Sequence, residues 1–222
     1  MIKVHHLNNS RSQRILWLLE ELGTPYEIVK YQRQSPVPFA PPELKKVHPL
    51  GKSPVITDGD LTVAESGAII EYLVGRYGNG RLEPAANTLE KLRYTYWLHY
   101  AEGSAMPPLL MKLLFTLMPR RAPALLRPLV RKVSNQALTT LVNPQLKQHM
   151  AYWESELGKS EWFAGNEFTA ADIQMSFPLE AAAARGGLED GHPKAMAFLE
   201  RIHARTAYAR ALEKGGPYVI GR

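Results

Sequence analysis

The stretch Gly51–Ser66, GKSPVITDGDLTVAES, decides how this chain folds. Val55–Thr57 and Leu61–Val63 are two short apolar runs joined by an Asp-Gly-Asp turn, the signal of a β-hairpin. Ser53-Pro54 precedes the first run and Glu65-Ser66 follows the second. A proline at the start of an internal strand removes a ladder donor. A cis bond gives it a purpose, because it turns the preceding backbone outward, where the N–H and C=O of Ser53 can pair with a ligand as an added strand does. Glu65-Ser66 opens a helix, where free N–H groups and the positive dipole end favour a carboxylate. The serine adds a donor and the glutamate an acceptor for an ammonium group, a match for an α-amino acid head. The competing reading of an isolated Glu-Ser is a plain helix cap.

Working outward, Met1–Leu7 reads as a strand and Ser10–Leu22 as a helix, with Ile15, Leu18, Leu19 and Leu22 on one face and Gly23 as its stop. Tyr26–Tyr31 alternates like a second strand, residues 35–42 are too proline-rich for regular structure, and a short helix is expected over Glu43–Val47. A further helix is expected over Glu65–Tyr77. The first 80 residues therefore read βαβ then ββα, a four-stranded mixed sheet flanked by helices, with a right-handed parallel crossover. Residues 81–88 read as a linker. From residue 89 to 222 strand signals vanish and helical patterns broken by prolines take over, so the expected fold is α/β plus all-α. Thr169 and Asp172 have the spacing of a capping box.

The 222 residues carry 27 basic and 21 acidic side chains, a net charge of +6, with 45% apolar residues, as an ordinary globular protein does. No run of apolar residues is long enough to span a bilayer, and the N-terminus lacks the core of a signal peptide, so a cytoplasmic protein with no membrane partner is expected. Cysteine is absent, which removes disulfides, thiolate metal sites and any cysteine nucleophile. His5, His6 and His48 show no metal-ligand spacing and read as structural or surface groups; no metal is expected. The charge is uneven. Between Glu102 and Glu154 there is no acid, but there are seven basic residues: Lys112, Arg120, Arg121, Arg127, Arg131, Lys132 and Lys147. This stretch is either a solvated basic face or a positive field that attracts anionic ligands. Nucleic-acid binding is not expected, because no nucleic-acid motif accompanies the charge.

Taken together, Gly51-Lys52-Ser53-Pro54, Glu65-Ser66 and Thr169…Asp172 resemble the cytosolic glutathione S-transferases, and the resemblance covers the whole chain. APPELKKVHPLGKSP and AEGSAMPPLL resemble a subgroup of bacterial and fungal members. The resemblance implies a thioredoxin-like first domain, glutathione as co-substrate and a homodimer. It implies that Ser53, before a cis Pro54, pairs with the cysteinyl backbone of glutathione, that Glu65 and Ser66 hold its γ-glutamyl end, and that Lys52 meets its glycyl carboxylate. Family members place the residue that meets the thiol near the end of the first strand. The tyrosine type carries it six residues before a helix arginine, which here is Asn8; the serine type, theta- or delta-like, carries it four before, which from Arg14 is Ser10. Ser10 is therefore expected to contact the thiol, with Asn9, Asn8 and Ser12 as competitors.

Ser10 would act as a donor and not as a base. Lowering a thiol pKa from about 8.5 by about two units needs roughly 2.7 kcal/mol. One charge-assisted hydrogen bond supplies about 1.5–3 kcal/mol and a helix N-terminus about 0.3–1 kcal/mol. The product is a thiolate able to attack a hydrophobic electrophile or a peroxide. The electrophile is expected between the domains, against Tyr96, His99, Tyr100, Ser104, Met106 and Leu110. Conjugation leads. Glutathione-dependent peroxide or disulfide reduction, and a non-catalytic binding protein of the same fold, are the alternatives.

Overall fold

The computed structural model describes residues 1–33, 40–216 and 218. Residues 35–39 of the proline-rich segment lie outside the described residues. The first part contains β1 (Ile2–Leu7), α1 (Ser12–Leu22), β2 (Tyr26–Tyr31), a 3-10 turn (Pro42–Lys46), β3 (Val55–Asp58), β4 (Leu61–Ala64) and α2 (Ser66–Tyr77). The sheet order is β2-β1-β3-β4; β1 and β2 are parallel, and the other two pairings are antiparallel. This is the mixed sheet expected from the sequence, and with the helical remainder it is a thioredoxin-like domain followed by a helical one.

Two helix starts differ from expectation, each for a local reason. The first helix begins at Ser12 and not Ser10: Arg11 is its N-cap, and the Ser10 hydroxyl, one residue further out, accepts the Ser12 N–H at 3.2 Å in a local turn that competes with helix. The helix after β4 begins at Ser66, because Glu65 has φ 70°, left-handed backbone that a helix cannot contain. Gly23 ends α1 in the left-handed conformation that glycine adopts without steric cost.

The helical part runs α3 (Leu89–Tyr100), α4 (Met106–Arg121), α5 (Arg127–Ala137), α6 (Asn143–Lys159), α7 (Ala170–Arg185), α8 (Pro193–His203) and α9 (Thr206–Gly215). A π turn over Ala101–Ala105 joins α3 to α4, and a second, Leu138–Val142, joins α5 to α6. The core centres on α7: every residue from Thr169 to Ala182 is buried. Asp172 accepts from the Thr169 N–H at 2.8 Å, the Thr169 hydroxyl at 3.0 Å and the Phe163 N–H at 2.9 Å, so the expected box also ties down the preceding loop. Burial pushes its carboxyl up to about 6 against those three donors.

The chain then returns to where it began. α9 packs on α1 so closely that a Cβ on Gly215 would sit 2.6 Å from Gln13 Oε1 and 2.8 Å from Leu16 Cδ1. Glu20 binds Arg210 and Lys214, and Glu21 binds Arg205 at 2.6 Å, so the seam carries ion pairs at its rim.

Candidate active site

The sheet register collects the motifs. His5 of β1 pairs with Val55 of β3, and Val55 pairs with Ala64 of β4. One row across three strands thus marks one end of the sheet. The segment after β1 (Asn8, Asn9, Ser10), the segment before β3 (Lys52, Ser53, Pro54) and the segment after β4 (Glu65, Ser66) all leave from that end. The Ser53–Pro54 bond is cis, as the motif predicts. The Ser53 hydroxyl donates to the His5 carbonyl at 2.9 Å, and the β1–β3 ladder begins only at Val55, so the Ser53 main chain lies beyond it. Lys52 is exposed. Glu65, also exposed, holds its left-handed φ next to buried Ser66; strain of this sort, on the order of 1–3 kcal/mol, persists where the surroundings enforce it and clusters at functional positions.

Arg14 sets the far wall. On sequence it is only a spacing marker. In the structure it is 2% exposed and donates to the Ser66 hydroxyl at 2.9 Å, the Gln174 carbonyl at 2.6 Å and Glu102 at 2.6 Å. Arg11 meets the same Glu102 oxygen at 2.9 Å, and both guanidiniums lie over the Phe177 ring. Burial disfavours the Glu102 charge, but Arg14 and Arg11 outweigh that cost and hold the carboxyl below the usual range. Four elements thus converge on one fork: α1, the start of α2, the π turn and α7. The signal in the sequence was a cation on an apolar stripe, since Arg14 shares its helix face with Leu18 and Leu22.

At the thiol position the four candidates differ. Asn8 Oδ1 accepts the Arg33 N–H at 2.9 Å and so braces the loop. Asn9 is exposed, with φ 50°. Ser10 is buried, its hydroxyl 2.8 Å from that of Ser12, which lies 2.9 Å from His6 Nδ1. The His6 ring is driven down to about 4 by burial, then by Lys30, while a hydrogen bond to the Gly215 carbonyl resists. In the tautomer with the ring proton on Nε2, Nδ1 accepts from the Ser12 hydroxyl and the Ser10–Ser12 bond uses the Ser10 proton. His6, expected to be structural, is the anchor of a three-group chain.

The structure separates the expected electrophile-site residues. Tyr96 and Tyr100 stack at 5.5 Å, and both turn to α6: Tyr100 stands 5.8 Å from Tyr152, and its hydroxyl binds His149 and takes the Trp153 N–H at 3.1 Å. Tyr100 is thereby buried in the aromatic core, whereas Tyr96, stacked on it, is 45% exposed. Met106 is buried, whereas His99, Ser104 and Leu110 are exposed.

Comparison with known proteins agrees with this geometry. Residues 1–75 match the family described as Glutathione S-transferase, N-terminal domain, and residues 106–206 its C-terminal domain. The chain is 41% identical to Glutathione S-transferase 3 of Schizosaccharomyces pombe over 182 residues, covering 82% of this chain and 74% of that one. It is 33% identical to Glutathione S-transferase 1 of Saccharomyces cerevisiae, covering 96% and 95%. A crystal structure of a glutathione S-transferase from Actinobacillus pleuropneumoniae superposes with a TM-score of 0.78 at 35% identity, covering 97% of this chain and 93% of that one. A sphingomonad glutathione S-transferase complexed with glutathione shares the fold, with a TM-score of 0.73 at 24% identity and coverage of 96% and 98%. With both halves of the chain matched and its motifs gathered at one sheet end, this protein belongs to the glutathione S-transferase family.

Proposed function

We propose that the chain binds glutathione across the sheet end and activates its thiol for attack on a hydrophobic electrophile. The observation that carries this reading is the row His5–Val55–Ala64, which brings a cis-proline segment, a left-handed Glu65 before Ser66, and the Ser10 loop to one edge. Ser53 would pair with the cysteinyl main chain as an added strand, while Ser66 and Glu65 take the carboxylate and ammonium of the γ-glutamyl end. Lys52 would take the glycyl carboxylate. Ser10 would turn its hydroxyl from Ser12 to the sulfur and donate to the thiolate; Asn9, whose exposed amide is its neighbour, is the competitor. Met106 and the exposed Tyr96, His99, Ser104 and Leu110 would form the electrophile wall, with Tyr100 buried behind Tyr96 against α6.

Retention on immobilised glutathione followed by a chromogenic conjugation assay tests this. Retention with turnover is expected; retention without turnover would make the protein a binding member only, and no retention would end the proposal. With no protein thiol, peroxide or disulfide reduction would rely on glutathione itself, and a peroxide panel run alongside separates that chemistry. We also read the protein as a cytoplasmic homodimer. Exposed Leu61 of β4 and Leu89 and Leu92 of α3 are apolar side chains available to such an interface, and sedimentation giving a mass near the monomer's 24.9 kDa would reject it.

A further inference from the structure

The helical hairpin α4–α5 has a composition that its own fold does not use. From Leu110 to Val133 no residue is buried, although the stretch is rich in leucine, methionine and phenylalanine. Each helix carries exposed apolar residues at i, i+4 spacing: Leu114 and Met118 on α4, one turn and more beyond the Leu110 of the electrophile wall, and Leu125, Leu129 and Val133 running from the turn along α5. Leu125, at the turn, is 91% exposed, and Leu129 is 62% exposed. Apolar surface left bare on this scale marks an interaction site.

The charges around it are of one sign. Arg120, Arg121, Arg127, Arg131 and Lys132 flank the turn, with no acid between Glu102 and Glu154. Among the described residues none of these five has a carboxylate at ion-pair distance. Arg120, Arg127 and Arg131 line a cleft of about 460 Å³ between the two helices, with Phe115 and Leu138 as its apolar walls. At 1.5 Å of rise per residue, Lys132 stands only about 8 Å along the axis from the start of α5, so all five cations sit level with the turn.

We propose that this hairpin docks on an anionic phospholipid bilayer, the arginines on lipid phosphates and the tip leucines in the interfacial layer. Charge decides against a second copy docked tip on tip, because that two-fold contact would set arginine against arginine with no acid to offset it. A soluble anion in the cleft would leave Leu125 and Leu129 bare. A bilayer surface satisfies both features, since basic amphipathic helices bury their apolar side chains about 5–10 Å into the headgroup layer. Among the described residues no helix is long and apolar enough to cross a membrane, so the hairpin lies on the surface. Surface docking departs from the expectation of no membrane partner, which rests on the lack of a spanning segment and not on the charge and exposure of this hairpin.

The test is flotation of the full chain with vesicles of phosphatidylcholine alone, or with about 30% phosphatidylserine, at about 20 and 300 mM salt. Two variants are compared: Arg120→Gln/Arg127→Gln/Arg131→Gln and Leu125→Ser/Leu126→Ser. All five positions are exposed, and circular dichroism melting confirms that each variant is folded. Binding to the anionic vesicles only, weakened by salt, is expected, with partitioning lowered on the order of 100-fold in the arginine variant and roughly tenfold in the leucine variant. Absence of binding at low salt, equal binding to neutral vesicles, or an arginine variant that binds as well as the wild type would each overturn the proposal. So would full displacement by millimolar inorganic phosphate, which would make the cleft a site for a free anion. Self-association in the absence of vesicles, lost in the leucine variant, would assign the face to a second copy and overturn it too.

Discussion

Helix α7 and the α4–α5 hairpin are both long, apolar and interrupted by proline, yet α7 is buried along thirteen consecutive residues, Ala170–Ala182, and the hairpin buries none from Leu110 to Val133. The difference lies in what surrounds the apolar side chains. In α7 small alanines let neighbours close in, and the charged groups are satisfied within the fold: Asp172 by three donors, Glu180 by Tyr208 at 2.6 Å and His203 at 3.1 Å. In the hairpin the polar groups are cations without acids, which no core could accept. Apolar content alone therefore does not identify a core; the accompanying charges must also find partners.

The largest effects should break the fold at α7 and leave it intact at the hairpin. Asp172→Ala removes the acceptor of two buried N–H groups and a hydroxyl and should cost roughly 3–5 kcal/mol in urea unfolding. Leu179→Ala, at a fully buried site, should cost about 2–5 kcal/mol, whereas Leu129→Ala should stay within about 0.5 kcal/mol. Equal losses at the two leucines would mean that the hairpin is packed in solution. At an intermediate level, Glu102→Gln weakens the fork around Arg14 and should cost roughly 1–3 kcal/mol and weaken glutathione binding about tenfold through Ser66. Calorimetry showing unchanged affinity would uncouple Ser66 from the fork.

Smaller shifts test the chain His6–Ser12–Ser10. Ser10→Ala should raise the pKa of bound glutathione by about 1–2 units, from the loss of one charge-assisted bond, with affinity little changed. Ser12→Ala should move it the other way, by roughly half a unit to one unit, because the Ser10 proton then has no competing acceptor. Thiolate absorbance against pH reads both; an unchanged curve in Ser10→Ala would move the role to Asn9. The smallest effect is on stability. With a folded pKa of about 4 against an unfolded 6.5, His6 binds fewer protons folded than unfolded, so its contribution is whole above pH 6.5 and is lost as pH falls toward 4. A His6→Gln variant should flatten the melting-temperature profile over that window.

The sheet was legible because period-2 alternation and a two-run hairpin leave few choices: each strand was placed to within a residue, and the cis bond followed from its motif. The helix starts at Ser12 and Ser66 were not, since they depend on a side chain competing for a backbone N–H and on a left-handed residue. Within the helical part the sequence showed helices and prolines but neither π turn, because an extra residue changes no composition. The fork was hidden for another reason. Arg14 and Glu102 lie 88 positions apart, and nothing local pairs them. The stripe Tyr96–Tyr100 was visible as a stripe, but which neighbour it faces is a property of α6.

The π turn at Ala101–Ala105 has a consequence for how this helix pair can change. One extra residue rotates all that follows by about 100°, so α3 and α4 are out of phase: the face of α3 that carries Tyr96 and Tyr100 does not continue into α4. Deleting the exposed Gly103 would return the two helices to a common phase. It would carry Leu114 and Met118 about a quarter-turn around the axis relative to Glu102, which Arg14 holds at 2.6 Å. A single codon here is therefore a rotary dial, linking the fork at the sheet end to the direction in which the hairpin shows its leucines.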